Sequence, residues 1–179
     1  MSFDTKTAVG SINQNLPGCI VEQEEFRGET TLVIKRERIE DVATHLKENL
    51  DFKFIVDVTA VDYLGIKSPR YEVVYLLHRF GADYDDNVRL RLKVRLTENE
   101  LRVSSLTGVW KGADWLEREV HDMFGIEFEG HPDLRRILMP EDYDHYPLRK
   151  DFDVRNREPS KKSFERALRE VGADYKPAS

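Results

Sequence analysis

The sequence predicts an α+β fold: a two-layer domain with a mixed, mainly antiparallel sheet, followed by a long irregular C-terminal arm. Three observations predict it. Five stretches rich in β-branched and aromatic residues are joined mostly by short turns, which favours local strand pairing. Two segments carry apolar residues at helical spacing. After Gly125 the periodicity stops, yet large apolar residues continue. The order ββαβββα fits one helix layer on one sheet.

Each element has its own signal. Residues 1–18 form a polar opening with room for a short helix before Pro17-Gly18. Residues 19–25 and 30–34 read as strands around a turn, 26–29, that contains Gly28. Ile39, Val42, Ala43, Leu46 and Leu50 line one helical face, opposite Glu40, Asp41, Lys47 and Glu48. Residues 52–63 and 71–78 are strands, the second apolar enough to be central. Residues 88–96 alternate strictly, Val88, Leu90, Leu92, Val94 and Leu96 against Arg89, Arg91, Lys93 and Arg95. That basic face reads as solvated or paired with acids rather than as a phosphate binder. The turns hold Gly65, Pro69, Gly81 and the acidic group Asp83, Asp85 and Asp86. A second helix covers about 113–124, with Asp114 and Glu117 spaced as a capping box and Gly125 placed to end it. Residues 19–125 are the core domain and 126–179 the arm. The arm holds Pro132, Pro140, Pro147 and Pro159, and ends in a short amphipathic piece with Phe164, Leu168 and Val171.

Composition removes several function classes. The chain has 179 residues, 34 acidic and 28 basic, for a net charge of −6. That balance disfavours a general nucleic-acid binder. One cysteine, Cys19, allows neither a disulfide within the chain nor a self-contained iron–sulfur cluster, which takes about four thiolates. No apolar run approaches the roughly 20 residues of a membrane helix, and the start lacks a signal-peptide pattern. Any membrane location is therefore expected to come through partners. No two glycines are one residue apart, so the dinucleotide fingerprint is missing. Gly125 and Gly130 have P-loop spacing but lead into His131-Pro132 instead of Lys and Ser or Thr. We expect no catalytic residue, no bound cofactor and no metal. The rival from another class is a metal-dependent hydrolase built on His121, Asp122 and His131.

The informative stretch is 117–152, EREVHDMFGIEFEGHPDLRRILMPEDYDHYPLRKDF. Charged groups stand directly beside large apolar residues in a proline-stiffened segment, which is the composition of an interface. The candidate interface residues are Glu117, Arg118, Glu119, Asp122, His131, Pro132, Arg135, Arg136, Arg149, Lys150 and Asp151. Glu117, Arg118, Glu119, Asp122, Arg135, Arg136, Arg149 and Asp151 are expected to form a buried or half-buried ion-pair network at the base of the arm. The arm itself is expected to lie on a partner.

This stretch resembles the C subunit, also called the thirty-kilodalton subunit, of respiratory complex I, the proton-translocating NADH:quinone oxidoreductase. The family signature is Glu-Arg-Glu, an acidic residue, two apolar residues, a His or Lys, a basic residue or Pro, and two apolar residues, at fixed spacing. It is met by Glu117-Arg118-Glu119, Asp122, Met123-Phe124, His131, Arg135 and Ile137-Leu138. Pro147 to Phe152 and, more weakly, GETTLVIK and DFKFIVDVTAVDY extend the resemblance over roughly 28–153. Family members commonly have Tyr where this chain has His121, and Trp and Gly where it has Tyr143 and His145. The resemblance implies a cofactor-free member of the hydrophilic arm, with FMN and iron–sulfur clusters in partner subunits. It implies packing against the D subunit, which together with the B subunit forms the quinone pocket. It implies peripheral attachment, through the complex, on the cytoplasmic side of the bacterial inner membrane. The nearest alternative is the equivalent scaffold subunit of a membrane-bound energy-converting hydrogenase.

Overall fold

The computed structural model describes residues 3–81, 87–155 and 158–171. The elements are α1 (Thr5–Asn15), β1 (Ile20–Phe26), β2 (Glu29–Ile34), α2 (Ile39–Leu50), β3 (Phe54–Asp62), β4 (Tyr71–Arg79), β5 (Val88–Leu96), β6 (Arg102–Ser104), α3 (Ala113–Phe124), β7 (Glu127–Glu129) and α4 (Glu158–Val171). The main sheet has the order β1-β2-β5-β4-β3. Only β2 and β5 run parallel; the other neighbours are antiparallel. The fold is the expected two-layer α+β domain with a mixed, mainly antiparallel sheet. The acidic group Asp83, Asp85 and Asp86 lies outside the described residues.

β4 is an interior strand, as its apolar run predicts, flanked by β3 and β5, and β5 stands in the middle of the sheet. Leu90, Leu92, Val94 and Leu96 enter the core beneath the helices. The opposite face carries a charge ladder. Arg91 pairs with Glu29 at 2.5 Å and Arg95 with Glu22 at 2.7 Å. Lys67, Lys93 and Arg95 all surround Glu72, which is fully buried. Burial alone would raise the Glu72 pKa, but the three cations outweigh it and hold the carboxyl below its usual range. Of the basic stripe read from the sequence, Arg91, Lys93 and Arg95 are thus paired with acids, while Arg89 is exposed.

Two boundaries differ from the sequence reading. The polar opening is part of the core: Asp4 caps α1 by accepting the Thr7 N–H at 2.8 Å, and α1 buries Ala8, Val9 and Ile12. A helix with three inward residues among polar ones leaves little periodic signal. The core also continues past Gly125. Ile126 and Phe128 are buried, and β7 pairs in parallel with β6, extending the compact unit to Glu129. Strands of three residues fall below what alternation can reveal.

Candidate functional site

Helix α3 organises the site. Its N-terminus is not a capping box: Gly112 is the cap residue, without a side-chain bond. Glu117 instead turns inward and is fully buried. It accepts the Ser105 hydroxyl at 2.6 Å and the Leu106 N–H at 2.7 Å. Burial dominates there, with Asp114 adding repulsion, and pushes the Glu117 pKa up to about 7 despite both donors. Trp110, just before the helix, donates its indole N–H to the Phe52 carbonyl at 2.9 Å.

At the other end, residues 131–151 lie on the chain's own core and cap α3. The last four carbonyls of a helix lack partners within it. Here Gly125 N–H bonds His121 O, Arg136 bonds Asp122 O, Leu148 N–H bonds Met123 O and Arg149 Nε bonds Phe124 O. Two guanidinium groups thus stand at the negative end of the helix dipole. Gly125 has φ 72°, and a Cβ there would lie 2.5 Å from the Tyr146 ring and 2.6 Å from Arg149. Left-handed geometry and close approach both require glycine.

Asp122 fastens the arm from the helix side. It is fully buried. Its Oδ2 accepts the N–H groups of Ile137, Leu138 and Met139 at 3.0, 2.7 and 2.8 Å, and Oδ1 meets Arg136 at 2.6 Å. Burial pushes this carboxyl up as well. The amides and Arg136 outweigh it and hold the pKa below its ordinary value. Arg118 donates to the carbonyls of Arg135 and Arg136. A second clamp joins the arm to the sheet. Asp62 accepts the Lys150 N–H at 2.8 Å and pairs with Arg70 at 2.7 Å, while Arg70 also reaches Asp151 at 3.1 Å. Burial opposes charge on Asp62 too, but Arg70 and two backbone N–H groups bring its pKa down to about 2.

The single ion-pair network expected from the sequence is therefore three separate arrangements. Glu117 has no cation and bonds the 105–106 loop. Asp122, Arg118, Arg136 and Arg149 hold the arm against α3. Lys150 and Asp151 hold it against Asp62 and Arg70. Glu119 is exposed, and among the described residues Arg135 pairs only with Asp133, also exposed. Pro132 is exposed. His131 takes the Asp133 N–H on Nδ1 and donates from Nε2 to the Asp114 carbonyl, the neutral tautomer. His121 donates from Nδ1 to the Ile126 carbonyl. His121, Asp122 and His131 thus face three different sets of partners. Among the described residues, no group of three His, Cys, Asp or Glu side chains is arranged to hold a metal ion. Asp62, Arg70 and Ser105 were not legible as site residues. Asp62 and Lys150 are 88 positions apart, and the one hint was an acid ending an apolar run.

Fold and site define a small α+β module whose C-terminal arm is fastened to its own core by buried carboxylates and helix-end contacts. The chain belongs to the family of the respiratory-chain NADH dehydrogenase 30 kDa subunit, whose model matches residues 32–158. The C subunit of the NADH-quinone oxidoreductase of Geobacter sulfurreducens is 42% identical over 160 residues, covering 88% of this chain and 96% of that protein. The corresponding C subunit from a Roseiflexus species is 46% identical over 156 residues, 86% of this chain and 87% of the relative. Among solved structures, a trypsin-resistant fragment of Nqo5 aligns with a TM-score of 0.57 and 38% identity, over 63% of this chain and 89% of the fragment. A chain of an archaeal membrane-bound sulfane sulfur reductase shares the fold, with a TM-score of 0.70 over 98% of this chain and 95% of its own, at 22% identity. Among the described residues, no helix is long and apolar enough to cross a membrane.

Proposed function

We propose that this chain is the cofactor-free C subunit of a proton-translocating NADH:quinone oxidoreductase and acts as a scaffold in its hydrophilic arm. The observation that carries the reading is 42–46% identity to the C subunits of NADH-quinone oxidoreductases over nearly nine-tenths of the chain. The complex would move electrons from NADH through FMN and iron–sulfur clusters held by partner subunits, and this chain would take no part in the chemistry. Its neighbours would be the D and B subunits, and it would meet the cytoplasmic face of the inner membrane only through them. The internally capped arm supports a rigid-body role, since a partner would then meet a preformed surface. The hydrogenase alternative, an equivalent scaffold in a related membrane complex, rests on the shared sequence module alone.

The test is a tagged copy of the chain expressed in a strain lacking the gene. Loss of NADH:quinone reductase activity in membranes of the deletion strain, and co-purification of the D and B subunits with the tagged chain, are expected. The purified chain alone should show neither flavin nor iron–sulfur absorption. Membrane activity that survives deletion would overturn the assignment, and a tagged chain recovered with hydrogenase subunits would replace it.

A further inference from the structure

The two clamps on the arm, distinct in their hydrogen bonds, share a set of aromatic rings. Tyr71 opens β4 opposite Asp62 in the register and is buried. Arg70, the guanidinium that pairs with Asp62, lies over the Tyr71 ring, 4.7 Å from its centroid. Arg149 lies over the same ring at 5.8 Å and over the Tyr146 ring at 4.3 Å. Arg136, the guanidinium that pairs with Asp122, lies over Tyr146 at 5.2 Å. Cations and rings thus alternate, Arg70-Tyr71-Arg149-Tyr146-Arg136, from one buried carboxylate to the other. Attraction between a cation and a ring face is strongest where water is kept out. The Arg70 and Arg136 side chains are only 11% and 14% exposed. Arg149 serves both rings and the Phe124 carbonyl at once, so displacing it at one clamp is felt at the other.

We propose that this ladder couples the two clamps into one latch, so that residues 136–151 are fastened or released as a single two-state strap and not clamp by clamp. Groups in direct contact through shared partners are the ones whose energies fail to add. Without the ladder, the stretch between the clamps would let either end open alone. With it, drawing Arg70 away from Asp62 also frees Ile137, Leu138 and Met139, whose N–H groups bond to Asp122. What the released strap uncovers is a set of acceptors: Asp62, Asp122 and the last carbonyls of α3. Each now takes an arginine or a backbone N–H from the arm. The latch is therefore a bistable element that an event at one end can bias at the other.

Amide hydrogen exchange on the full chain tests this, in wild type, Asp62→Asn, Tyr146→Leu and the double variant. The readouts are the N–H groups of Ile137, Leu138 and Met139 at one clamp and of Lys150 at the other. In wild type all four should share one opening constant, larger than that of the core amides of β4 and β5. Asp62→Asn should speed exchange at Lys150 about tenfold or more, and at 137–139 by a similar factor. Tyr146→Leu removes the rung between Arg149 and Arg136. In that background, adding Asp62→Asn should speed Lys150 alone. Asp62→Asn acting only at Lys150 in the otherwise native chain would mean that the clamps are independent, and the proposal fails. It fails equally if the effect on 137–139 persists undiminished without the Tyr146 ring. Arm amides that exchange only as fast as the β4 and β5 core would show that no separate strap opens, and that result also overturns it.

Discussion

Glu117 and Asp122 sit five positions apart on one helix, and neither has any solvent exposure. Their proton affinities nevertheless move in opposite directions. Glu117 has two donors and no cation, so burial wins and its pKa rises to about 7. Asp122 has three amides and a guanidinium, and burial loses. Both would pass as signature carboxylates on a helix. Both carboxylates are shut off from solvent, but Glu117 lies deeper in the core and has fewer donors, and the balance of the two decides whether a buried acid is a fastening or a liability.

The sharpest way to break this comparison is to remove each acid. Asp122→Ala leaves Arg136 and three arm amides without their acceptor. It should cost on the order of 3–5 kcal/mol in urea unfolding, and Arg136→Ala should approach it. Glu117→Ala strands only one hydroxyl and one N–H, beside the cavity it opens, so the loss should be smaller. The Asp122 variant should also expose the arm to trypsin at Arg149 and Lys150. Equal losses at the two positions, or an arm that stays protected, would mean that the clamp contributes nothing special.

pH separates the two acids next. A raised folded pKa means the native state binds the Glu117 proton more tightly than the unfolded chain does. The stability this gives is complete below the ordinary carboxylate value of 4.5 and is lost as pH rises through about 7. The change is on the order of 3 kcal/mol. Asp122 is opposite in sign: its contribution is present above its ordinary value of 3.8 and is lost on acidification. Glu117→Gln should therefore remove the decline in stability between about pH 5 and pH 8 and leave acid unfolding in place. Gln fits if its amide nitrogen faces the Ser105 hydroxyl and its oxygen keeps the Leu106 N–H. Parallel urea midpoints for wild type and variant across that range would contradict the assignment.

A third test moves the arm without touching either acid. Gly125→Ala places a methyl group where Tyr146 and Arg149 now lie, at a left-handed backbone position. A loss of about 1–3 kcal/mol is expected, with increased cleavage in the arm. An Asn at the same position tolerates the backbone but not the space, so it should not rescue. Rescue by Asn would show that only the backbone angle matters.

Much of the fold was legible because it repeats. Residues 39–50 and 113–124 announced themselves by spacing, and 88–96 by alternation. The first helix was faint because only Ala8, Val9 and Ile12 turn inward. The site was legible as a segment but not as a set of bonds. Glu117 and Asp122 look alike in sequence because their donors come from elsewhere, from Ser105 and Leu106 in one case and from 136–139 in the other. Charge next to apolar residues suggested a partner protein, whereas the chain supplies most of those contacts itself. Sequence adjacency cannot separate an arm that wraps its own core from one that grips a neighbour, since both bury guanidinium stems against apolar surface.

The smallest expected effect is the most discriminating for the signature itself. Arg135 and Arg136 are adjacent, and the motif specifies a basic residue or proline at the first of them. The Arg135 side chain is exposed and, among the described residues, bonds only to Asp133, two residues away. Such pairs contribute roughly 0–1 kcal/mol. What α3 uses at this position is the carbonyl, which accepts from Arg118. Any residue keeps this carbonyl, proline included, which is consistent with a motif that admits a basic residue or proline here. Arg135→Ala should therefore leave unfolding and arm protection within about 0.5 kcal/mol of wild type, while Arg136→Ala does not. A large loss from Arg135→Ala in the isolated chain would show that its guanidinium, not its backbone, holds the arm.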